Sequence, residues 1–521
     1  MHIVPRGTSS PTPQPYVVPP SQEFDGNDGS WSTFKVNVGG QDLRVQASTK
    51  SGETYVIVPA GCVAGVDPSN CASSRGAGIL NSAQSPGFQS NTSSTWSTIG
   101  QYDIGLEQNL GYEGRGMFGY DTVTLGSETA GTSLSLKKQV VAGVAELDYF
   151  MGHIPLGTTD SSFCGSCKPE KTFLWQLRNN SMIPSLSFAY TAGAKYRSKS
   201  YLAQLILGGY DTSRFLHNTM DFSFSFSINP SRLLSVAVNS ITATNTLKGT
   251  YSLSSSAHFS LVDSTVPHIW LPRDICDAFE TAFGLTYDSK TDLYLVNTTI
   301  RSQLQALNPS ITFKLANTLS DTTSNYTNII LPYSAFDLQA SYPYYPNATN
   351  YFPIRRAAND SQYTLGRTLL QEAYLIVDYE RANFTITRAS FPEQQLPAAK
   401  ILPIHPPSSS SHSNTRLSVT AIAGIIIGST AVIAIIASAI YFFLHRRRKQ
   451  TREDLAYMNK GSCLSTTSSS DIQELDGPQV HEMMVPTSWS ELPTHDQKIE
   501  LAVLPTELPI RLEYAEMDGR G

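Results

Sequence analysis

The stretch that decides the fold is Leu261-Val262-Asp263-Ser264-Thr265, followed shortly by Ile269-Trp270-Leu271-Pro272. Two apolar runs flank a tight turn of hydroxyl-bearing residues, and the turn begins with the carboxyl group of Asp263. The apolar runs predict two buried strands, because such residues fit a pleated, covered surface. The pattern therefore predicts a carboxylate at the start of a loop that directly follows a buried strand.

The composition favours a strand-rich domain. At 521 residues the chain can bury a large core and has room for more than one domain. Only 15% of residues are charged, while Tyr, Ser, Thr, Gly and Pro are plentiful, which suits a mostly β, loop-rich secreted domain. Two segments with helical periodicity stand out, at 273–283 and 299–307.

The composition also excludes some partners. The net charge of -6 gives no reason to expect a nucleic acid partner. His258, His268 and the other histidines lack metal-ligand spacing, and no nucleophile elbow is visible. We expect no metal and no other cofactor.

Residues 417–444 contain no charged side chain and are rich in Ile and Ala, which predicts a transmembrane helix. The basic cluster at 445–449 follows, and the positive-inside rule places it in the cytoplasm, with contact to anionic lipid as a second role. The ectodomain is then extracellular or lumenal. A buried core helix is the alternative.

Residues 1–7 show no apolar run, which predicts a truncated or misassigned start, or a span that acts as a late signal-anchor.

Sequons and cysteines agree with an oxidising, lumenal environment. Glycosylation is predicted at the Asn-X-Ser/Thr sites before the span, namely Asn91, Asn179, Asn297, Asn325, Asn347, Asn359 and Asn383.

Cys62 and Cys71 predict a disulfide across a short loop. Cys164 and Cys167 predict a small structural disulfide rather than a redox motif, because no βαβ pattern surrounds them. Cys276 is left over and is expected to be buried.

Further landmarks follow one another in a fixed order. They are Ser93-Ser94-Thr95-Trp96, then Tyr112 with the glycine-rich run to Asp121-Thr122-Val123, then Leu207-Gly208-Gly209-Tyr210-Asp211, then Tyr363-Thr364-Leu365-Gly366-Arg367, and last Tyr374-Leu375-Ile376-Val377-Asp378-Tyr379. Together with the Asp263 loop they resemble the pepsin-like aspartic peptidase family over roughly residues 29–390. Membrane-anchored, sequon-rich members occur in fungi, and the chain resembles these.

The resemblance implies an all-β, bilobal fold built by duplication, so a second active-site loop is expected upstream of Asp263. The stretch from Thr49 to Pro59 matches it, with Lys50 where the family has its first catalytic Asp. Tyr112 matches the tyrosine of the family's flap hairpin.

The resemblance also divides the chain. The predicted segments are a flexible N-terminal segment at 1–28, an N-terminal β lobe at 29–215, a C-terminal β lobe at 216–390, a Pro/Ser-rich stalk at 391–416, the transmembrane helix at 417–444 and a disordered cytoplasmic tail at 445–521.

The family's chemistry requires two adjacent carboxylates that share one proton around a water molecule. A lysine at one position removes that pair and favours an ion pair between Lys50 and Asp263. Thr265 in place of Gly and Arg367 in place of Asp are further departures from the family pattern. Glu53 is the alternative second acid, although its position predicts that it points elsewhere.

Three functions compete. The first is a membrane-anchored pseudoenzyme that acts as a surface binding or sensor module, with a peptide or glycan in the cleft and a cytoplasmic partner for the tail. The second is an active membrane-anchored aspartic endopeptidase that works at acidic pH through Asp263 and an unrecognised second acid. The third is a glycan-decorated structural protein with a vestigial cleft.

Overall fold

Short strands make up most of the fold. The computed structural model describes residues 12–126, 133–216, 223–320, 325–392 and 398–407. In chain order the strands are β1 Tyr16–Val18, β2 Pro20–Asp25, β3 Trp31–Val38, β4 Gln41–Ser48, β5 Thr54–Ile57, β6 Ile79–Leu80, β7 Ala83–Gln84, β8 Ser97–Asp103, β9 Arg115–Leu125, β10 Leu134–Val144, β11 Gly152–Pro155, β12 Ser187–Thr191, β13 Gln204–Leu207, β14 Gly209–Asp211, β15 Phe224–Ser225, β16 Ser235–Thr246, β17 Gly249–Ser252, β18 His258–Val262, β19 Ile269–Leu271, β20 Thr286–Asp288, β21 Leu293–Leu295, β22 Ser310–Ala316, β23 Tyr326–Pro332, β24 Leu338–Ala340, β25 Thr349–Phe352, β26 Ile354–Arg356, β27 Thr364–Leu365, β28 Ala373–Asp378, β29 Asn383–Arg388 and β30 Ile401–Pro403.

The helices are few. They are α1 Cys71–Ser74, α2 Phe173–Asn179, α3 Arg273–Phe283, α4 Thr298–Leu307 and α5 Arg367–Leu370. Helices α3 and α4 confirm the two helical segments read from periodicity. Helix α3 buries Ile275, Phe279 and Phe283 on one face and ends at Gly284, whose φ of 65° closes the helix in the left-handed region.

Two large sheets carry the two halves of the fold. The first has the order β2-β3-β4-β11-β5-β10-β9-β8, and the second has the order β23-β22-β16-β18-β27-β19-β26, with β17 beside β16. A six-stranded sheet, β1-β13-β12-β28-β29-β15, joins strands from both halves. This strand-rich architecture fits the bilobal pepsin-like fold.

The two large sheets repeat one local arrangement. Strand β11 runs parallel to β4 and antiparallel to β5. In the same way β27 runs parallel to β18 and antiparallel to β19. The loop between β4 and β5 is therefore equivalent to the loop between β18 and β19. In the sheets, β11 lies between β4 and β5, and β27 lies between β18 and β19.

A glycine allows each of these loops to pack closely against its neighbour. A Cβ atom on Gly157 would lie 2.3 Å from the carbonyl oxygen of Lys50, and one on Gly366 would lie 2.3 Å from that of His268. Both distances are far below van der Waals contact, so any side chain here would push the loop away. Glycine is thus required at equivalent places in the two halves.

Strands also form in the predicted flexible N-terminal segment and in the predicted Pro/Ser-rich stalk. Residues 1–28 are predicted to be flexible, yet β1 pairs with β13 and β2 with β3, and Val18 is fully buried. Within the predicted stalk, β30 pairs with β14. Composition misled the prediction here, because short apolar groups such as Ile401-Leu402 supply strands even among prolines.

No helix among the described residues is long and apolar enough to cross a membrane. The predicted span at 417–444 and the predicted tail at 445–521 lie outside the described residues.

Candidate active site

Asp263 lies directly after β18, and its side chain is fully buried. Its Oδ1 atom accepts hydrogen bonds from the Thr265 N–H at 2.8 Å and from the Thr49 hydroxyl at 3.2 Å. Its Oδ2 atom meets no N–H or O–H donor within the part of the chain that the structure describes. A buried carboxylate oxygen without a donor is costly, so this oxygen marks a position where a proton or ligand belongs.

Hydrogen bonds between Thr49 and Ser264 join the two equivalent loops. The Thr49 N–H donates to Ser264 Oγ at 3.0 Å, and the Ser264 N–H donates to Thr49 Oγ1 at 3.0 Å. The Ser264 hydroxyl in turn donates to the Ala47 carbonyl at 2.7 Å. This exchange makes Thr49 and Ser264 equivalent residues.

Ser48 is therefore the counterpart of Asp263, since each precedes its hydroxyl residue by one position. The Ser48 hydroxyl lies 2.7 Å from Thr265 Oγ1 and accepts from the Ser51 N–H at 2.9 Å. The prediction that Lys50 occupies the first catalytic position is corrected: the structure places Ser48 there, so no carboxylate stands at the position equivalent to Asp263.

Lys50 turns toward a different acid from the one predicted. Its Nζ atom lies 2.9 Å from Glu107 Oε2 and 3.4 Å from Asn109 Oδ1. The predicted Lys50–Asp263 pair is thus replaced by a Lys50–Glu107 ion pair. The reason is the loop between β8 and β9, which brings the Glu107 carboxyl group into contact with both residues.

Glu107 is the site residue that the sequence analysis missed. Its side chain is 1% exposed, and its carboxyl group faces that of Asp263 within hydrogen-bonding reach. Burial, and then the facing charge of Asp263, raise the pKa of Glu107 well above its ordinary value, while Lys50 acts in the opposite direction. The protonated form of Glu107 is therefore favoured in the folded chain. The available sequence signal was weak: an acidic residue flanked by Leu106 and Leu110 in the loop after β8.

The other predicted acid and the predicted flap tyrosine lie apart from Asp263. Glu53 accepts a hydrogen bond from Ser161 Oγ, as expected for a side chain that points elsewhere. Tyr112 lies in the connection between β8 and β9, but its ring packs 5.7 Å from that of Tyr149. Tyr102 on β8 is the hairpin tyrosine that lines the cleft.

Two departures from the family pattern stabilise the second loop. The Thr265 hydroxyl pairs with Ser48 across the two loops. The Arg367 side chain is 4% exposed and donates to the carbonyl groups of Ser264 at 3.0 Å and Thr265 at 2.7 Å. These hydrogen bonds hold the loop that carries Asp263 in its observed conformation.

A cavity of about 450 Å³ lies beside Asp263 and Lys50, with walls from both halves of the fold. One wall is a cluster of the aromatic rings of Tyr102, Phe118 and Phe163, whose centroids lie 5.1–5.9 Å apart. Cavities of this size are typical of ligand sites.

The predicted disulfides Cys62–Cys71 and Cys164–Cys167 are confirmed, and Cys276 is buried and free. Of the predicted glycosylation sites, Asn383 is partly exposed and the others are exposed, although glycosylation itself stays a prediction. Among the residues that the structure covers, no group of His, Cys, Asp or Glu is arranged to hold a metal ion.

The comparison with known families agrees with the fold. The model of the family described as eukaryotic aspartyl protease matches residues 33–390, which is well over half of the chain. No curated protein matches the sequence significantly. The match covers the paired loops at Thr49 and Ser264, the Asp263 turn and the closing segment at Arg367. The chain therefore belongs to the eukaryotic aspartyl protease family.

Proposed function

We propose that this chain is a single-pass membrane protein whose ectodomain uses a pepsin-like cleft to bind a ligand and does not hydrolyse peptide bonds. The observation that carries the proposal is that Ser48, not a carboxylate, stands opposite Asp263 across the bonded Thr49–Ser264 pair. Without a carboxylate at position 48, the two loops cannot hold and activate a water molecule by sharing a proton between equivalent positions.

The space above Asp263 supports the same proposal. The Glu107 carboxyl group faces that of Asp263, with the Lys50 ammonium beside it, and Asp263 has no exposed surface. Asp263 borders the cavity but is fully covered, so a substrate gains contact with its carboxyl group only if the covering side chains move.

The cavity supports a binding role over a vestigial cleft, since a vestigial cleft is expected to be filled by side chains. Its aromatic wall suits apolar side chains or sugar faces, and the hydroxyl groups of Thr158, Thr159 and Ser161 supply polar partners. We propose a peptide or a glycan as the ligand.

The proposed topology rests on the sequence. An uncharged run at 417–444 followed by basic residues is typical of a span that places the ectodomain outside the cytoplasm. The acidic tail at 445–521 then serves as the segment that binds a cytoplasmic partner. A receptor or cell-surface sensor uses this layout.

Proteolysis assays test the proposal. The purified full-length chain is incubated with denatured protein at acidic to neutral pH, beside Asp263→Asn and a pepstatin-sensitive enzyme as positive control. We expect no pepstatin-sensitive cleavage by either form of the chain. Cleavage by the wild type that Asp263→Asn abolishes would overturn the proposal.

One observation favours a second candidate, an acid peptidase in which Glu107 replaces the missing carboxylate. Glu107 faces Asp263 and its pKa is raised by burial and by the charge of Asp263, and two carboxyl groups in such contact are the physical feature of the family's acid pair. This candidate predicts that Glu107→Gln and Asp263→Asn both abolish cleavage, whereas Glu113→Gln in the same loop, an exposed residue, leaves it intact.

A further inference from the structure

The connection between β8 and β9, residues 104–114, is here named the hairpin loop. At its centre Glu107 adopts a φ of 59°, which is uncommon for a residue with a side chain, and begins the short helix Gln108–Leu110. Such a conformation persists only where surrounding contacts hold it. The contacts of Glu107 are therefore expected to determine the position of this loop.

The Glu107 carboxyl group contacts one basic and one acidic side chain. Its Oε2 accepts from the Lys50 ammonium at 2.9 Å, while its Oε1 has no N–H or O–H donor among the described residues. The Asp263 carboxyl, with its own unsatisfied Oδ2, faces it within hydrogen-bonding reach. One proton between the two carboxyl groups satisfies both buried oxygens. Tyr55, Tyr149 and Arg232 also face this pair.

Other contacts fasten the hairpin loop to the opposite half of the fold. The Asn109 side-chain amide donates to the Ser361 carbonyl at 3.0 Å, and the backbone carbonyl of Asn109 accepts from Gln362 Nε2 at 2.6 Å. Leu110 packs into a buried cluster with Val266 and Trp270, close to Asp263 in sequence. The hairpin loop thus crosses the cleft and closes it over Asp263.

We propose that Lys50 and Asp263 form a subsite for a protonated carboxyl or carboxamide group, and that Glu107 is its internal ligand. A group that fits must accept from the ammonium of Lys50 and donate to the carboxylate of Asp263. A carboxylic acid or a carboxamide does both, whereas an ionised carboxylate, an alcohol or an alkyl group leaves one partner unsatisfied or poorly matched.

It follows that an external ligand with a carboxyl or carboxamide group, such as an Asp, Glu, Asn or Gln side chain of a peptide, competes with Glu107 and releases the hairpin loop. This inference rests on the proposed function only in taking the cleft as a ligand site, because the subsite itself is defined by contacts within the chain. The structure then represents the closed state, in which the ligand position is already filled.

Chemical rescue tests the subsite. Full-length Glu107→Ala lacks the internal ligand, and its melting temperature is measured with increasing propionamide, which carries the missing group in neutral form. We expect a saturable rise in the melting temperature of Glu107→Ala and a loss of this rise in Lys50→Met/Glu107→Ala. Propanol, of similar size, should give no such rise. The wild type, with its subsite filled, and exposed Glu113→Ala should not respond to propionamide either.

Hydrogen exchange provides a second readout, which remains informative if Glu107→Ala folds poorly. Glu107→Gln keeps a carboxamide in the subsite, so amides 109–112 should stay as protected as in the wild type, whereas in Glu107→Ala they should exchange faster and regain protection with propionamide. Propionamide effects equal in wild type and Glu107→Ala, or loss of protection in Glu107→Gln, would overturn the proposal. Neither measurement depends on proteolysis, so the proposed function and this inference fail separately.

Discussion

Thr49 and Ser264 exchange hydrogen bonds, each hydroxyl oxygen accepting the backbone N–H of the other residue at 3.0 Å. Both residues are buried, and each lies at the start of a loop that follows a buried strand. Because the exchange is reciprocal, it locks the two halves of the fold in one register. It also assigns Ser48 and Asp263 to equivalent positions in the two loops.

Removing this exchange should destabilise the protein. Thr49→Val and Ser264→Ala each leave a buried backbone N–H without its acceptor, so we expect each to lower the free energy of unfolding by about 1–3 kcal/mol. The double variant should cost less than the sum, with a coupling energy of about 0.5–3 kcal/mol. Denaturant unfolding measures the cycle, and exposed Thr250→Val is the matched control. Strict additivity would show that the two loops are stabilised independently.

Glu107 should make the stability depend on pH. Because its folded pKa is raised above the ordinary value of 4.5, its contribution is complete below that pH and is lost as pH rises through the folded pKa. The wild type should lose stability relative to Glu107→Gln over this range, by about 1.4 kcal/mol for each unit of the pKa difference. Urea unfolding at a series of pH values measures the difference. A constant difference between the two forms, as expected for Glu113→Gln, would contradict a buried acid pair.

His153 should lower the stability of the protein as pH decreases, which is the opposite of the pH effect expected for Glu107. Burial, and then the charge of Arg367, lower the pKa of His153 from 6.5 to about 3. The unfolded chain therefore binds a proton that the folded chain does not, so stability is complete above pH 6.5 and falls as pH decreases toward 3. His153→Phe keeps an aromatic ring beside Tyr55 and removes this loss. Its unfolding free energy should fall less steeply with acid than that of the wild type or of His405→Phe, an exposed position.

Arg75 should contribute strongly to the stability of the region around the Cys62–Cys71 disulfide. Its buried guanidinium donates to a set of backbone carbonyl groups, those of Gly61, Ala145, Glu146, Tyr149 and Phe150. Lysine has fewer donors and lacks the planar geometry, so Arg75→Lys leaves buried carbonyl groups unsatisfied. We expect a loss of about 3 kcal/mol or more in unfolding free energy. Arg115→Lys, at an exposed ion pair, should change stability little, and equal effects at both positions would refute this role.

The sequence predicted much of this molecule because its strongest signals are local. The apolar runs around Asp263 form β18 and β19, and the periodic segments at 273–283 and 299–307 become α3 and α4. The cysteine spacing predicted both disulfides correctly. These features depend on residues close together in the chain, where periodicity and loop length are sufficient to predict structure.

The sequence by itself thus determined the strand-rich fold, the turn at Asp263 and the absence of an acid at the start of the first loop. Only the tertiary structure decided which residues surround Asp263. Ser48 became its counterpart through hydrogen bonds between loops that are distant in the chain, and spacing alone had selected Lys50. Glu107 reaches Asp263 because the hairpin loop crosses the cleft. Such contacts follow from sheet register and loop packing, which bring together side chains that no local pattern relates.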